Sequence, residues 1–192
     1  MVMNRSRNTP TALRRQKQIE DCLYSNLLHT PYQSISVADL CRQIGISRKA
    51  YYNYYHDKEE CFCAIIDRLL RESMLHVSTS LPDNASPLET STKMLEYWKS
   101  QRDFFDICVR NNLLHFILMR NMEYVQTEDR TILDLLNTED VKSDSDILAC
   151  YTSVQLTLVL QWYFRGFDTP TEEMAKKLLR ILHTPMILPA EV

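Results

Sequence analysis

The chain has 192 residues, 45% of them apolar, with two glycines, seven prolines and a formal charge of −3. So few glycines exclude the turn-rich sheet classes, and no run of about 18 apolar residues is present to cross a bilayer. An all-α protein follows, long enough for one large or two small packed units. Its charge is divided: residues 1–58 hold nine Lys/Arg against four Asp/Glu, net +5, and the remainder is net −8.

The opening MVMNRSRNTPTALRR is polar and basic without an apolar stretch. It reads as a flexible arm over 1–13 rather than a secretory signal, and a cytoplasmic location is expected. The first helix is predicted from Arg14 to Leu28, with Ile19, Leu23 and Leu27 at four-residue spacing. Pro31 ends what precedes it.

Ser36 is a good N-cap for a second helix, whose Val37, Leu40, Cys41 and Ile44 form one apolar stripe. Gly45 stops it, because glycine enters the left-handed region without a Cβ penalty. Ser47 then caps a third helix through Tyr55, so a helix-turn-helix spans these residues. Asp57-Lys58-Glu59-Glu60 reads as the capped start of a fourth helix, running to about Val77 with Phe62, Ile65, Ile66, Leu69 and Leu70 inward.

LPDNASP, residues 81–87, is the clearest break in the chain. Helices are expected beyond it near 87–101, 103–111, 113–126 and 128–137, and a polar loop at 138–144. The most apolar helix, 145–165, closes at Gly166. Thr169-Pro170-Thr171-Glu172 opens the last one, which carries Met174, Leu178, Ile181 and Leu182 before Pro185. The expected organisation is thus about nine helices: an arm at 1–13, a helix-turn-helix domain at 14–58 and a larger helical domain at 59–192, the two joined by the helix at 59–78.

Six cysteines invite a metal or disulfide reading. Cys61 and Cys63 point about 200° apart on a helix and lack a second ligand pair, so small buried hydrophobes are the better account. The five histidines form no catalytic or phosphate-loop pattern, and His115 reads as a satisfied interior residue. No enzyme and no cofactor is expected.

GISRKAYYNYYHDKEE, residues 45–60, places four tyrosines in five positions. On a helical wheel Tyr51, Tyr54 and Tyr55 fall inward, while Lys49 and Asn53 share the opposite face, flanked by Ala50 and Tyr52, with Arg48 in the first turn. Arg and Lys suit guanine edges or phosphates, Asn suits adenine, Ala admits a thymine methyl and a Tyr hydroxyl donates to phosphate. A plain solvated face can carry the same residues, because helix-turn-helix geometry also serves as scaffold.

Residues 15–62 resemble the DNA-binding domain of the TetR family of bacterial transcriptional regulators. The family pattern A-G-V-S-x-x-x-[LIF]-Y-x-[HY]-F-x-[SDN]-K-[ED] is met by Ile44-Gly45-Ile46-Ser47, Tyr51-Tyr52, Tyr54-Tyr55 and Asp57-Lys58-Glu59, with Tyr32 and Ser36 ahead of it. Lys49 stands where the family often has Gly or Ala. The resemblance implies phosphate contacts from Ser36, Tyr52 and Lys58, and bases facing Arg48, Lys49 and Asn53, with Ser47 and Ala50 on the same reading helix.

It also implies a homodimer through the helices near 145–165 and 170–184, a palindromic double-stranded operator, and a small-molecule effector that releases a repressor. The stretches LVLQWYFRGFDTPTEEMAKKLLRIL and RDFFDICVRNNLL are similar to one TetR subgroup. Effector-lining candidates are Trp98, Phe105, Phe116, Met119, Met122, Tyr151 and Trp162, though such residues at helical spacing more often form core. Arg5, Arg7, Arg14 and Arg15 add basic charge that can reach DNA or stay solvated. The alternative reading is a TetR-like coactivator working mainly through a partner protein.

Overall fold

The computed structural model describes residues 9–82, 84–126 and 145–183. Among these residues the chain is all helical, with no strand: α1 Pro10–Leu27, α2 Val37–Ile44, α3 Arg48–Tyr52, α4 Lys58–Ser80, α5 Pro87–Ser100, α6 Arg102–Arg110, α7 Leu114–Gln126, α8 Ser145–Phe164 and α9 Thr171–His183. A short 3-10 turn, Tyr32–Ser34, lies between α1 and α2. The helix expected at 128–137 and the loop at 138–144 lie outside the described residues.

Most helix ends follow local chemistry. Gly45 sits at φ 68° and ends α2, where the Ile46 N–H returns to the Cys41 carbonyl at 3.0 Å. Gly166 sits at φ 72°, and there Phe167 N–H donates to Trp162 O at 2.8 Å. Ser86 and Glu89 form a complete capping box before α5. Two ends differ from expectation. α1 begins at Pro10 because the Thr9 hydroxyl accepts from Ala12 N–H at 3.2 Å, so residues 10–13 are helix and not arm. α3 ends at Tyr52, short of Tyr55: Tyr54 N–H turns to the Tyr51 carbonyl three residues back, at 2.8 Å, in place of the carbonyl four residues back.

The packing forms two units. The first comprises residues 1–69 with 106–117, and the second comprises 70–105 with 118–192. In the first, α1 packs on α2, and Ile19, Leu23 and Leu27 of α1, Leu40 and Cys41 of α2 and Phe62, Ile65 and Ile66 of α4 are all buried. The end of α6 joins this unit: Ile107 and Cys108 are buried, and Phe116 packs edge-on against Phe62 with ring centroids 5.8 Å apart. In the second unit, α9 lies along α5 as its most extensive contact, and α8 packs against both. Leu95, Trp162, Met174, Ala175 and Leu178 form its fully buried centre.

All six cysteines are free thiols; Cys41, Cys61 and Cys108 are buried, and burial pushes each of these thiols above its ordinary pKa. No helix among the described residues is long and apolar enough to cross a membrane.

Candidate nucleic-acid interface

α3 is five residues long and owes its start to Ser47, whose hydroxyl oxygen accepts from Ala50 N–H at 3.1 Å. Its inner side is aromatic: Tyr51 and Tyr55 are buried, with rings 5.9 Å apart, and Tyr54 is half-buried. The Tyr51 hydroxyl donates to the Asp57 carbonyl at 3.0 Å, and the Tyr55 hydroxyl donates to Glu20 on α1 at 2.7 Å. Burial raises both phenols well above the ordinary tyrosine range, with nearby acidic charge adding to it.

The outer side is open. Arg48, Lys49 and Asn53 are exposed, Tyr52 is 51% exposed, and Ala50 is half-buried. Lys49 with Asn53, and Arg48 with Tyr52, are four residues apart and so neighbours on the helix surface. Asn53 still has helical backbone angles, φ −71° and ψ −21°, so this edge continues one residue past the helix end.

Two residues expected to meet phosphate have other partners. Lys58 Nζ donates to the carbonyls of Tyr32 and, at 2.7 Å, Ile35, and lies 4.0 Å from the centre of the Tyr32 ring. Its ammonium therefore ties α4 to the turn before α2 instead of facing outward; desolvation lowers its pKa, partly opposed by Glu59. Ser36 accepts from Asp39 N–H at 3.1 Å and donates its own proton to the Asp39 carboxylate at 2.5 Å. That bond, followed by Arg42 at 2.9 Å, holds the Asp39 carboxyl below its ordinary pKa, and it sets a negative charge beside the hydroxyl.

The turn between α1 and α2 is held from a distance as well. Arg110 donates to the carbonyls of Leu27 at 2.7 Å and Leu28 at 3.0 Å, filling acceptors that the end of α1 leaves open. Asn111 Oδ1 accepts from Tyr32 N–H at 2.7 Å. Neither residue carried a sequence signal, because each acts on a backbone group about eighty residues away.

The residues expected to line an effector pocket are not gathered in one place. Phe116 belongs to the first unit, stacked with Phe62 and, at 4.2 Å, His115. His115 itself is exposed rather than interior, with Nδ1 2.9 Å from the Asn112 carbonyl. Met119 and Met122 are exposed. Trp162 is fully buried with its indole N–H satisfied by Thr169 O at 3.1 Å, which makes it core. Trp98 and Phe105 do meet, at 6.1 Å, and Phe105 also packs on Tyr163 at 5.2 Å, a ring that is not among the sequence candidates. Tyr151 is half-buried, and burial raises its hydroxyl pKa.

Fold and site together define an all-helical helix-turn-helix protein with a second helical unit. The family model for the C-terminal region of TetR-type transcriptional regulators matches residues 85–184. The chain belongs to the TetR family of transcriptional regulators. A comparison with curated protein sequences finds no significant match.

Solved structures share the fold. A putative TetR-family regulator from Syntrophomonas wolfei aligns with TM-score 0.60 at 16% identity, over 93% of this chain and 99% of that one. Thermus thermophilus FadR, a TetR-family repressor in complex with lauroyl-CoA, gives 0.54 at 14%, over 93% and 100%. The dihydroxyacetone kinase operon activator DhaS gives 0.53 at 19%, over 88% and 94%.

Proposed function

We propose that this chain is a DNA-binding transcriptional regulator that docks α3 into the major groove of a palindromic operator as a homodimer. The observation that carries the reading is the two-sidedness of α3. Its buried tyrosines fix it in the fold, while Arg48, Lys49, Tyr52 and Asn53 stay exposed on one edge. Arg48 and Lys49 supply base and phosphate donors, Tyr52 a phosphate donor, and Asn53 the amide that pairs with adenine. Ala50 lies low enough to admit a thymine methyl, and Ser47 holds the helix start. The net +5 of residues 1–58 favours the same partner. Ser36 and Lys58 serve as braces for this edge.

α8 and α9 are the proposed dimer helices. Phe164 on α8 and Ile181 on α9 are 57% and 47% exposed in the single chain, although both are large apolar side chains. A two-fold pairing covers such side chains and sets two reading helices about one DNA turn, or somewhat more, apart. A monomeric mass at micromolar concentration in sedimentation would end the dimer proposal.

The second unit is the proposed effector-responsive part. Trp98, Phe105 and Tyr163 are its nearest approach to an aromatic binding wall, and FadR binds lauroyl-CoA on the same fold. An effector releases DNA only insofar as it binds the DNA-incompetent arrangement more tightly. Repression is the first reading. DhaS is an operon activator with the same fold, which keeps positive regulation as the second.

The test is a gel shift with the gene's own upstream DNA at two salt concentrations. Specific retardation that weakens steeply with salt is expected, and is lost in Arg48→Ala combined with Tyr52→Phe. Retention of full binding by that double variant overturns the reading; a coactivator acting through a partner protein then becomes the better account.

A further inference from the structure

The first unit holds a buried polar network that the docking reading does not use. Glu20, on α1, is only 7% exposed, and it faces two elements at once. Its Oε1 accepts the Tyr55 hydroxyl proton at 2.7 Å, and its Oε2 lies 3.3 Å from Arg68 Nε on α4. Arg68 also donates through Nη1 to Asp21, the next residue of α1. One carboxylate therefore joins α1, α4 and the residue just beyond the reading helix.

An isolated helix of five residues does not hold its own direction in water. Its orientation comes from what grips it: the buried Tyr51 and the packing on α2 along its length, and the bonds at its two ends. Ser47 grips the start only locally, through Ala50 N–H. At the other end Tyr55 stays one turn from Tyr51 through its N–H bond to the Tyr51 carbonyl at 3.1 Å, and its hydroxyl reaches thirty-five residues back to α1. A buried carboxylate must keep its donors, so the Tyr55–Glu20 bond is directional in a way that apolar packing alone is not.

We propose that Tyr55, Glu20 and Arg68 are positioning residues that set the angle of α3, and hence how sharply its exposed edge distinguishes one DNA sequence from another. The inference rests on the docking reading above. At about 1.5 Å per residue, α3 is about 7 Å long, so a tilt of roughly 20° at its anchored end moves Arg48 by about 2–3 Å. A bidentate contact to a base edge does not survive such a shift, whereas a phosphate contact from a long side chain does. Losing the network therefore lowers sequence discrimination more than overall attraction to DNA.

The experiment uses the full chain and two probes: a duplex selected by the wild-type protein from a randomised pool, and a shuffled duplex of the same composition. Tyr55→Phe is expected to reduce the ratio of the two affinities about tenfold while binding to the shuffled duplex holds. The variant Tyr55→Phe with Glu20→Met removes both partners and refills the space with apolar atoms, which restores stability when a buried hydrogen bond is replaced as a pair. Arg68 keeps Asp21.

In that pair variant the account expects a thermal midpoint near wild type with discrimination still low. If discrimination returns together with stability, the network is structural only and the inference is overturned. Arg48→Ala distinguishes the remaining cases. If it abolishes discrimination while Tyr55→Phe leaves it at wild type, this inference falls and docking stands. If neither variant changes the ratio, docking through α3 falls and the inference with it.

Discussion

Lys58→Met separates two roles for one lysine, because a phosphate contact and an internal brace respond to it in opposite ways. The substitution keeps the aliphatic stem and deletes the ammonium. It takes the ammonium donor from the Ile35 carbonyl, leaves the Tyr32 carbonyl with the Ile35 N–H at 3.2 Å, and removes the cation held 4.0 Å from the Tyr32 ring. Hydrogen bonds from a charged group contribute about 1.5–3 kcal/mol, and a cation over a ring about 0.5–1 kcal/mol where water still reaches it. Part of this is returned, because the half-buried ammonium no longer has to be desolvated. A net loss of about 2 kcal/mol is expected, or about 4–8 °C in the midpoint for a chain of this size.

Both tryptophans, Trp98 and Trp162, lie in the second unit, so their fluorescence is blind to the first. The assay is therefore amide exchange, in which Tyr32 N–H and the α2 amides lose protection while α5 and α9 keep theirs. DNA binding is measured in parallel as a function of salt. A brace leaves the slope of log affinity against log salt unchanged. A phosphate contact made once per subunit flattens it by about 2 for a dimer. A flattened slope with unchanged exchange at Tyr32 refutes the placement of Lys58.

Three further outcomes are expected. Asp57→Ala removes the carboxylate that accepts Glu60 N–H at 2.7 Å at the start of α4, costing about 1 kcal/mol at neutral pH in chemical denaturation. That bond, with His56, holds the Asp57 carboxyl below its ordinary pKa; the stability is present above about pH 4 and lost as pH falls through the folded value, so the two proteins converge in acid. Gly45→Ala costs about 1–2 kcal/mol from the left-handed backbone alone, since a Cβ there meets nothing within 4 Å; Gly45→Asn recovers part of it in the same titration. Trp162→Phe strands the Thr169 carbonyl and opens space in the second unit, lowering its unfolding free energy by about 2–3 kcal/mol as followed by circular dichroism, with Trp98 left as fluorescent reporter.

What could be read from the sequence was whatever a residue does to its own neighbours. Gly45, Gly166, Ser36 and Ser86-Pro87 end or begin helices through bonds spanning a few residues, and each is visible in a short window. Thr9-Pro10 is the same start signal as Thr169-Pro170, masked in the sequence by surrounding arginines that suggest an arm. What stayed hidden was set by distant partners. Tyr55, past the end of α3, bonds to Glu20 thirty-five residues earlier, and Lys58 is held by carbonyls that no periodicity reveals.

One sign of the network was available. Glu20 falls three and seven residues before Leu23 and Leu27, so an acid sits on an apolar stripe. Place in the chain does not sort the pocket candidates, since Phe116 packs where Phe62 is, with the first unit. Of the eight residues read as DNA contacts, Arg48, Lys49, Tyr52 and Asn53 share the exposed edge. Ser47 and Ala50 start that helix, and Ser36 and Lys58 hold what lies behind it.

Lysine acetylation with and without a selected duplex tests the exposed edge of α3 most directly, since Lys49 is exposed there and Lys99 is exposed on α5 in the second unit. Lys49 should label freely alone and be protected by the duplex, while Lys99 labels equally in both states. Equal labelling of Lys49 with and without bound duplex contradicts the account, because α3 would then not be the surface that meets DNA.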